Sequence, residues 1–287
     1  MKNFLLFIAF VAICNCQGIF AQKTDNKEAE MDKAVDIFQK GKYKMAEKDF
    51  KKLIAKDPTM WPCYYYLSWI NLYKDKEYNN SMKYINSAIK YAPNDNIIQG
   101  ELHGMKGQIE TFLRDTLKAM DEYNLAIKCS GDTFSYLGRG ELYYAAKKYN
   151  KSNADFNQVL KVNPKSSNGL IGLGQNAFAI KDYNKALDYY NKAINYDPSY
   201  MHARALRIQC LYYLKRYREG INEIIYLSQR DDFPNYSFYT MDYWQLPEFE
   251  VAMIEQQRRD PENEQWEKMI MVSETNMYLH STEKTGK

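Results

Sequence analysis

The sequence predicts an all-α protein, an α-solenoid of about six helix-turn-helix repeats followed by a C-terminal capping helical hairpin. Three observations carry this expectation. One pattern, clearest as "DYNKALDYYNKAINYDP" at 182–198, recurs along the chain with a period of about 34 residues. Glycine and proline are scarce, at 13 and 8 of 287 residues, which favours long helices over turn-rich β structure. Tyrosine is abundant, at 26 copies, and it returns at fixed places within the period.

The first element is a targeting segment. Lys2 precedes the apolar run "FLLFIAFVAI", and "IFA" ends at Ala21 before Gln22. That order reads as a signal peptide over 1–21 with a short linker over 22–26. The run is shorter than the roughly 20 residues a membrane-spanning helix needs. The chain is therefore expected to be exported, to a periplasm or beyond, with no stable membrane span after cleavage. A retained signal anchor and a lipid-modified Cys14 or Cys16 are the alternatives, although neither cysteine follows a Gly, Ala or Ser.

The repeats come next, with units near 27–60, 61–94, 100–132, 133–166, 167–200 and 201–230. A small residue recurs in the second helix of each at Ala46, Ser81, Ala119, Ser152, Ala186 and Gly220. Four positions later stands a bulky residue: Phe50, Ile85, Tyr123, Phe156, Tyr190 or Ile224. An aromatic residue marks the turn between helices at Tyr43, Tyr78, Tyr149, Tyr183 and Tyr217, and Pro58, Pro93, Pro164 and Pro198 close four units. Helices about 8 Å apart need a tiny side chain at the crossing, and proline ends a helix because it cannot extend the hydrogen-bond ladder. The third unit departs from the pattern. It has Thr116 for the aromatic, Ser130-Gly131 for the proline region, and a spacing of 38 from Ser81 to Ala119.

These positions together resemble the tetratricopeptide repeat, a pair of antiparallel helices, over residues 27 to about 230. The rest of the chain changes character. Residues 231–246 form an aromatic-rich connector, 247–279 read as two capping helices broken at Asp260-Pro261, and 280–287 as a disordered tail. Trp266, Ile270, Ser273 and Met277 share one helical face, suited to covering the open end of an array. The other reading of the connector is that Phe233 to Trp244 folds back over the repeats.

Candidate chemistry is sparse. "GLGQNA" at 172–177 fits a dinucleotide-binding fingerprint, but "LGRGE" places Gly138 and Gly140 one period before Gly172 and Gly174. A phosphate-binding turn follows a strand and occurs once per nucleotide domain, so these glycines read as helix-packing positions and no cofactor is expected. His103, His202 and His280 have no metal-ligand spacing, and no nucleophile turn or phosphate loop is present, so neither a metal nor catalysis is expected. Glu101 and Glu141 read as members of a solvated face. A formal charge of +3 excludes an electrostatic nucleic-acid footprint. Cys63, Cys129 and Cys210, odd in number after signal removal, read as small buried side chains.

What the resemblance implies is a binding groove lined by the first helix of each unit, at its second, fifth, ninth, twelfth and thirteenth positions. Carried onto this sequence those are Tyr65, Trp69, Leu72 and Tyr73 in unit two, and Phe134, Leu137, Glu141 and Tyr144 in unit four. Unit five gives Asn168, Ile171, Gln175 and Phe178, and unit six gives His202, Ala205, Gln209, Tyr212 and Tyr213. Amides interleaved with rings suit an extended peptide. The clamp by which some family members hold a chaperone tail is missing, since its positions here carry Leu137, Glu141 and Gly172. The expectation is a non-catalytic scaffold that binds a protein or peptide in the cell envelope. The alternatives are a glycan-binding protein and a structural subunit that uses its convex face. The oligomeric state is left open.

Overall fold

The computed structural model describes residues 26–228, and every regular element in that span is helical. The helices are α1 (Asn26–Gln39), α2 (Tyr43–Lys56), α3 (Trp61–Ile70), α4 (Tyr78–Tyr91), α5 (Asn96–Phe112) and α6 (Thr116–Cys129). They continue as α7 (Thr133–Ala145), α8 (Tyr149–Val162), α9 (Ser167–Ala179), α10 (Tyr183–Tyr196), α11 (Met201–Tyr213) and α12 (Tyr217–Ser228). The chain is an all-α repeat solenoid in which odd helices open each repeat and even helices close it. It divides into two compact units, the first ending at Gly138 and the second starting at Arg139, so the boundary falls within α7. The signal peptide, connector, capping helices and tail expected from the sequence lie outside the described residues.

Local sequence sets the helix ends. The residues before the closing prolines, Asp57, Ala92, Asn163 and Asp197, have ψ of 96°, 148°, 92° and 89°. The proline ring clashes with a helical conformation at the preceding residue, and the helix stops there. Asp95, Asp115, Ser166 and Asp182 cap α5, α6, α9 and α10 by accepting hydrogen bonds from first-turn N–H groups. Between the helices of each pair the chain turns through one left-handed residue: Gly41, Lys76, Arg114, Lys147, Lys181 or Lys215.

Two departures from the 34-residue period have visible causes. One extra residue lies between Ser68 and Ser81, and there the end of α3 widens into a π-turn over Asn71–Asp75. An insertion of one residue into a helix is commonly absorbed this way. The longer third spacing is taken up by α5, which gains an N-terminal turn and runs 17 residues. Gly131 at φ +63° then makes the turn that proline makes elsewhere.

Packing inside each unit turns on small residues. Ala46, Ser81, Ala119, Ser152 and Ala186 are all fully buried at the helix crossings. The serines do more than fill space. The Ser68 and Ser81 hydroxyls lie 2.9 Å apart, and each donates to the other's carbonyl at 2.9 Å. Ser152 donates to the Gly140 carbonyl at 2.8 Å.

The glycine pairs receive rings. A Cβ on Gly138 would stand 2.3 Å from the Tyr123 ring, and one on Gly140 would stand 2.8 Å from Phe156. One period later, a Cβ on Gly172 would stand 2.4 Å from the opposite edge of Phe156, and one on Gly174 would stand 2.4 Å from Tyr190. The first glycine of each pair therefore seats the ring of the preceding repeat, and the second seats the ring of its own. Phe156 lies between two opening helices with 2% of its surface exposed.

Candidate functional site

The odd helices carry the residues singled out for binding, and each unit has its own set. In the first unit α3 presents Tyr65 and Trp69, and the π-turn after it presents Tyr73. Trp69 is only 8% exposed, held by Phe38 at 4.9 Å, Tyr43 at 5.6 Å and Tyr73 at 5.0 Å between ring centres. Tyr65, also 8% exposed, reaches out only through its hydroxyl, which donates to Glu101 Oε1 at 2.9 Å. These two rings, expected on an open wall, instead belong to the core. The crowding of aromatic side chains between α1, α2 and α3 draws them in. Leu72, Leu137, Ile171 and Ala205 are buried as well, because those registers face a neighbouring helix.

Tyr73 and Phe134 stay partly open. Tyr73 also packs edge-on against Phe112 at 6.5 Å, and desolvation raises its hydroxyl pKa. Phe112 stacks on Tyr78 at 5.3 Å, supplying the ring contact that Thr116 removes from its own turn.

The second unit brings more of the expected residues together. Phe178, Tyr183 and Tyr213 form one cluster, with Phe178 edge-on to both tyrosines at 5.2 and 5.3 Å. Tyr213 stacks on Tyr183 at 4.9 Å and remains 48% exposed. Tyr212 extends the cluster edge-on to Tyr213 and toward Tyr217. Tyr144 is separate from it, tilted against Tyr149 at 6.0 Å. The aromatic residue at the twelfth position of the unit meets the turn tyrosine five residues later in four repeats, at 5.2 to 6.0 Å.

The polar residues on these helices fall into two groups. Asn168 is engaged, its Oδ1 accepting from the Tyr200 hydroxyl at 2.5 Å. Gln175 and Gln209 are partly exposed, and their amides make no hydrogen bond among the described residues. His202 is partly covered, and burial lowers its pKa. Glu141 keeps an open surface, yet enough protein surrounds its carboxyl for desolvation to raise its pKa.

Glu101 was missed as a site residue and differs from the solvated charge the sequence implied. Desolvation pushes its pKa to about 7, against the lowering effect of the Tyr65 hydrogen bond, with the nearby charge of Asp132 adding to the rise. Glu101 is the second residue of the unit at 100–132, the register of Phe134, Asn168 and His202, and carrying the groove positions onto that unit would have revealed it.

Cys63 and Cys210 are buried, and desolvation moves both thiols up to about 12, so neither is a nucleophile near neutral pH. Among the described residues no group of three or more His, Cys, Asp or Glu side chains is placed to hold a metal ion, and no helix is long and apolar enough to cross a membrane.

A stack of helix pairs with ring-lined opening helices defines a helical-repeat protein. Family models of the tetratricopeptide repeat match residues 134–166 and 167–200. The chain therefore carries tetratricopeptide repeats over residues 134–200, and such repeats serve as protein-interaction scaffolds. Several solved structures share the fold at low identity. A tetratricopeptide repeat protein from Parabacteroides merdae superposes with a TM-score of 0.58 at 18% identity, covering 88% of this chain and 98% of that one. PilW, a type IV pilus biogenesis factor, gives 0.63 at 11% identity, covering 80% and 100%. A chain of the APC/C hetero-tetramer Cut9-Hcn1 gives 0.67 at 13% identity over 88% of this chain and 46% of its own. No curated protein matches the sequence.

Proposed function

We propose that this protein is a non-catalytic scaffold of the cell envelope whose opening helices hold a peptide or protein segment. The observation that carries the reading is the second unit's combination of a part-exposed ring cluster with unengaged amides. Phe178, Tyr212 and Tyr213 offer apolar anchors, while Gln175 and Gln209 offer donors and acceptors that an extended backbone can satisfy. The glycan alternative is less well served, because the face of Tyr213 that stacks on Tyr183 is unavailable to a sugar. The envelope part rests on the leader-like residues 1–21. Intact mass of the chain from its own host, expected to begin at Gln22, tests it.

Capture from the native envelope followed by mass spectrometry identifies the partner. Tyr144→Ala, Phe178→Ala and Tyr212→Ala then decide the face. Each is expected to weaken partner binding by about 1–3 kcal/mol, as anchor residues do, with helical content retained. If they are core rings instead, each removes about 3–5 kcal/mol of stability and leaves affinity per folded molecule unchanged. The second result would end the reading.

A further inference from the structure

Several carboxylates set into this fold are met by cations. Asp155 is paired with Arg139 at 2.7 Å, and Glu223 with Arg204 and Arg207, both at 2.5 Å. Glu122 takes Lys106 at 2.7 Å and lies 2.6 Å from His103 Nδ1. Desolvation would raise Glu122, but those hydrogen bonds outweigh it and leave its pKa below normal. Glu110 has no direct pair, and desolvation raises its pKa, with Lys118 and Lys106 lowering it and Asp115 and Glu122 raising it; unlike Glu101 and Glu141, it does not stand in a register assigned to binding.

Glu101 and Glu141 have no such partner. Glu101 faces the Tyr65 hydroxyl on α3 and the like charge of Asp132 before α7. Glu141 faces Tyr200, whose pKa is raised by desolvation, by Asp197 and by Glu141 itself. No Lys or Arg pairs with either carboxylate among the described residues. Both stand in the registers assigned to binding, and both keep a route to solvent. Sequence extends the pattern: across all six units the charged residues in those registers are Glu28, Glu101 and Glu141, in a chain whose Lys and Arg (39) outnumber its Asp and Glu (36). Partly desolvated carboxylates without countercharge are unfavourable alone and favourable once a cation arrives.

We infer that what the opening helices of each unit hold is basic, lysine or arginine side chains supplying the countercharge to Glu101 in the first unit and, separately, to Glu141 in the second. The inference rests on the binding face proposed above and adds the chemistry of the occupant. The rings pack the aliphatic stems of such side chains, and the carboxylates take their heads.

The test is an array of random-sequence peptides probed with the full chain, with Glu101→Gln, Glu141→Gln, the double variant and Phe178→Ala. Circular dichroism confirms the fold of each. Binders of the parent protein are expected to be enriched in Lys and Arg. For a binder remade with its Lys and Arg changed to Gln, affinity should fall about tenfold, the range of a charge-assisted hydrogen bond. The double variant should no longer distinguish the two versions. Affinity of the basic version should also rise between pH 6 and 8 as Glu101 ionises, and this rise should vanish in Glu101→Gln. Binders without basic enrichment, or an enrichment unchanged in the double variant, would overturn the inference. If Phe178→Ala abolishes binding while charge preference is absent, the binding face stands and only its basic occupant is lost. If no peptide binds, both readings fall.

Discussion

Glu101 shows how a single side chain can be set against the stability of its own fold. Its folded pKa, about 7, lies above the ordinary glutamate value because desolvation and Asp132 disfavour the charge. Between the ordinary value and pH 7 the folded state holds a proton that the unfolded state has lost, so stability falls as pH rises through that window. Above pH 7 the full penalty applies. Glu101→Gln keeps an acceptor for the Tyr65 hydroxyl and removes the charge. It is expected to leave stability nearly unchanged at pH 4.5 and to raise it by about 1–2 kcal/mol at pH 8, allowing for the solvent that reaches the group. Calorimetry at the two pH values checks this, and an equal effect at both would mean that the carboxylate is fully solvated. Residue-level roles were unevenly legible in the sequence. Ala46 and Ala186 could be read because smallness at a crossing is a property of the residue alone. The burial of Trp69 could not, since it depends on Phe38 and Tyr43 arriving from two other helices.

At the scale of elements, each helix pair is joined through one residue in the left-handed region. Only the first turn uses glycine, Gly41 at φ +75°; the others use Lys76, Arg114, Lys147, Lys181 and Lys215 at 57° to 65°. A side chain there costs about 1–2 kcal/mol, while glycine returns about 0.5–1 kcal/mol in backbone entropy. Lys147→Gly is therefore expected to stabilise the protein by about 0.5–1 kcal/mol, read as a higher urea midpoint at unchanged m-value. A loss would show that the Lys147 side chain contributes contacts beyond its backbone. Element boundaries were legible where proline marks them, as at Asp57-Pro58. The π-turn at Asn71–Asp75 was not, because one surplus residue in a period does not say whether a loop or a helix absorbs it.

At the scale of the whole chain, the repeat order was legible because every unit reuses the same small and bulky positions, four residues apart, at a period close to 34. The candidate site was less so. Counting from 100 puts Glu101 second in its unit, as Asn168 and His202 are in theirs, but register alone does not show that its carboxyl is desolvated. The seating of rings on paired glycines has a further consequence, for how such a gene can change length. Tyr123 rests on Gly138 and Phe156 on Gly172, and those two glycines are 34 positions apart. Unequal crossing-over that removes residues 133–166 would join the chain so that Gly172 takes the place of Gly138 and receives Tyr123. The seam would rebuild an old contact and create no new kind of contact. A protein with that deletion is expected to fold, with helical content per residue near that of the parent and a cooperative melt. A deletion shifted to 133–164 removes two residues fewer and turns the ring seat out of register on its helix, and that chain should lose cooperativity. Such a lineage can shorten by whole periods while its neighbouring repeats still fit.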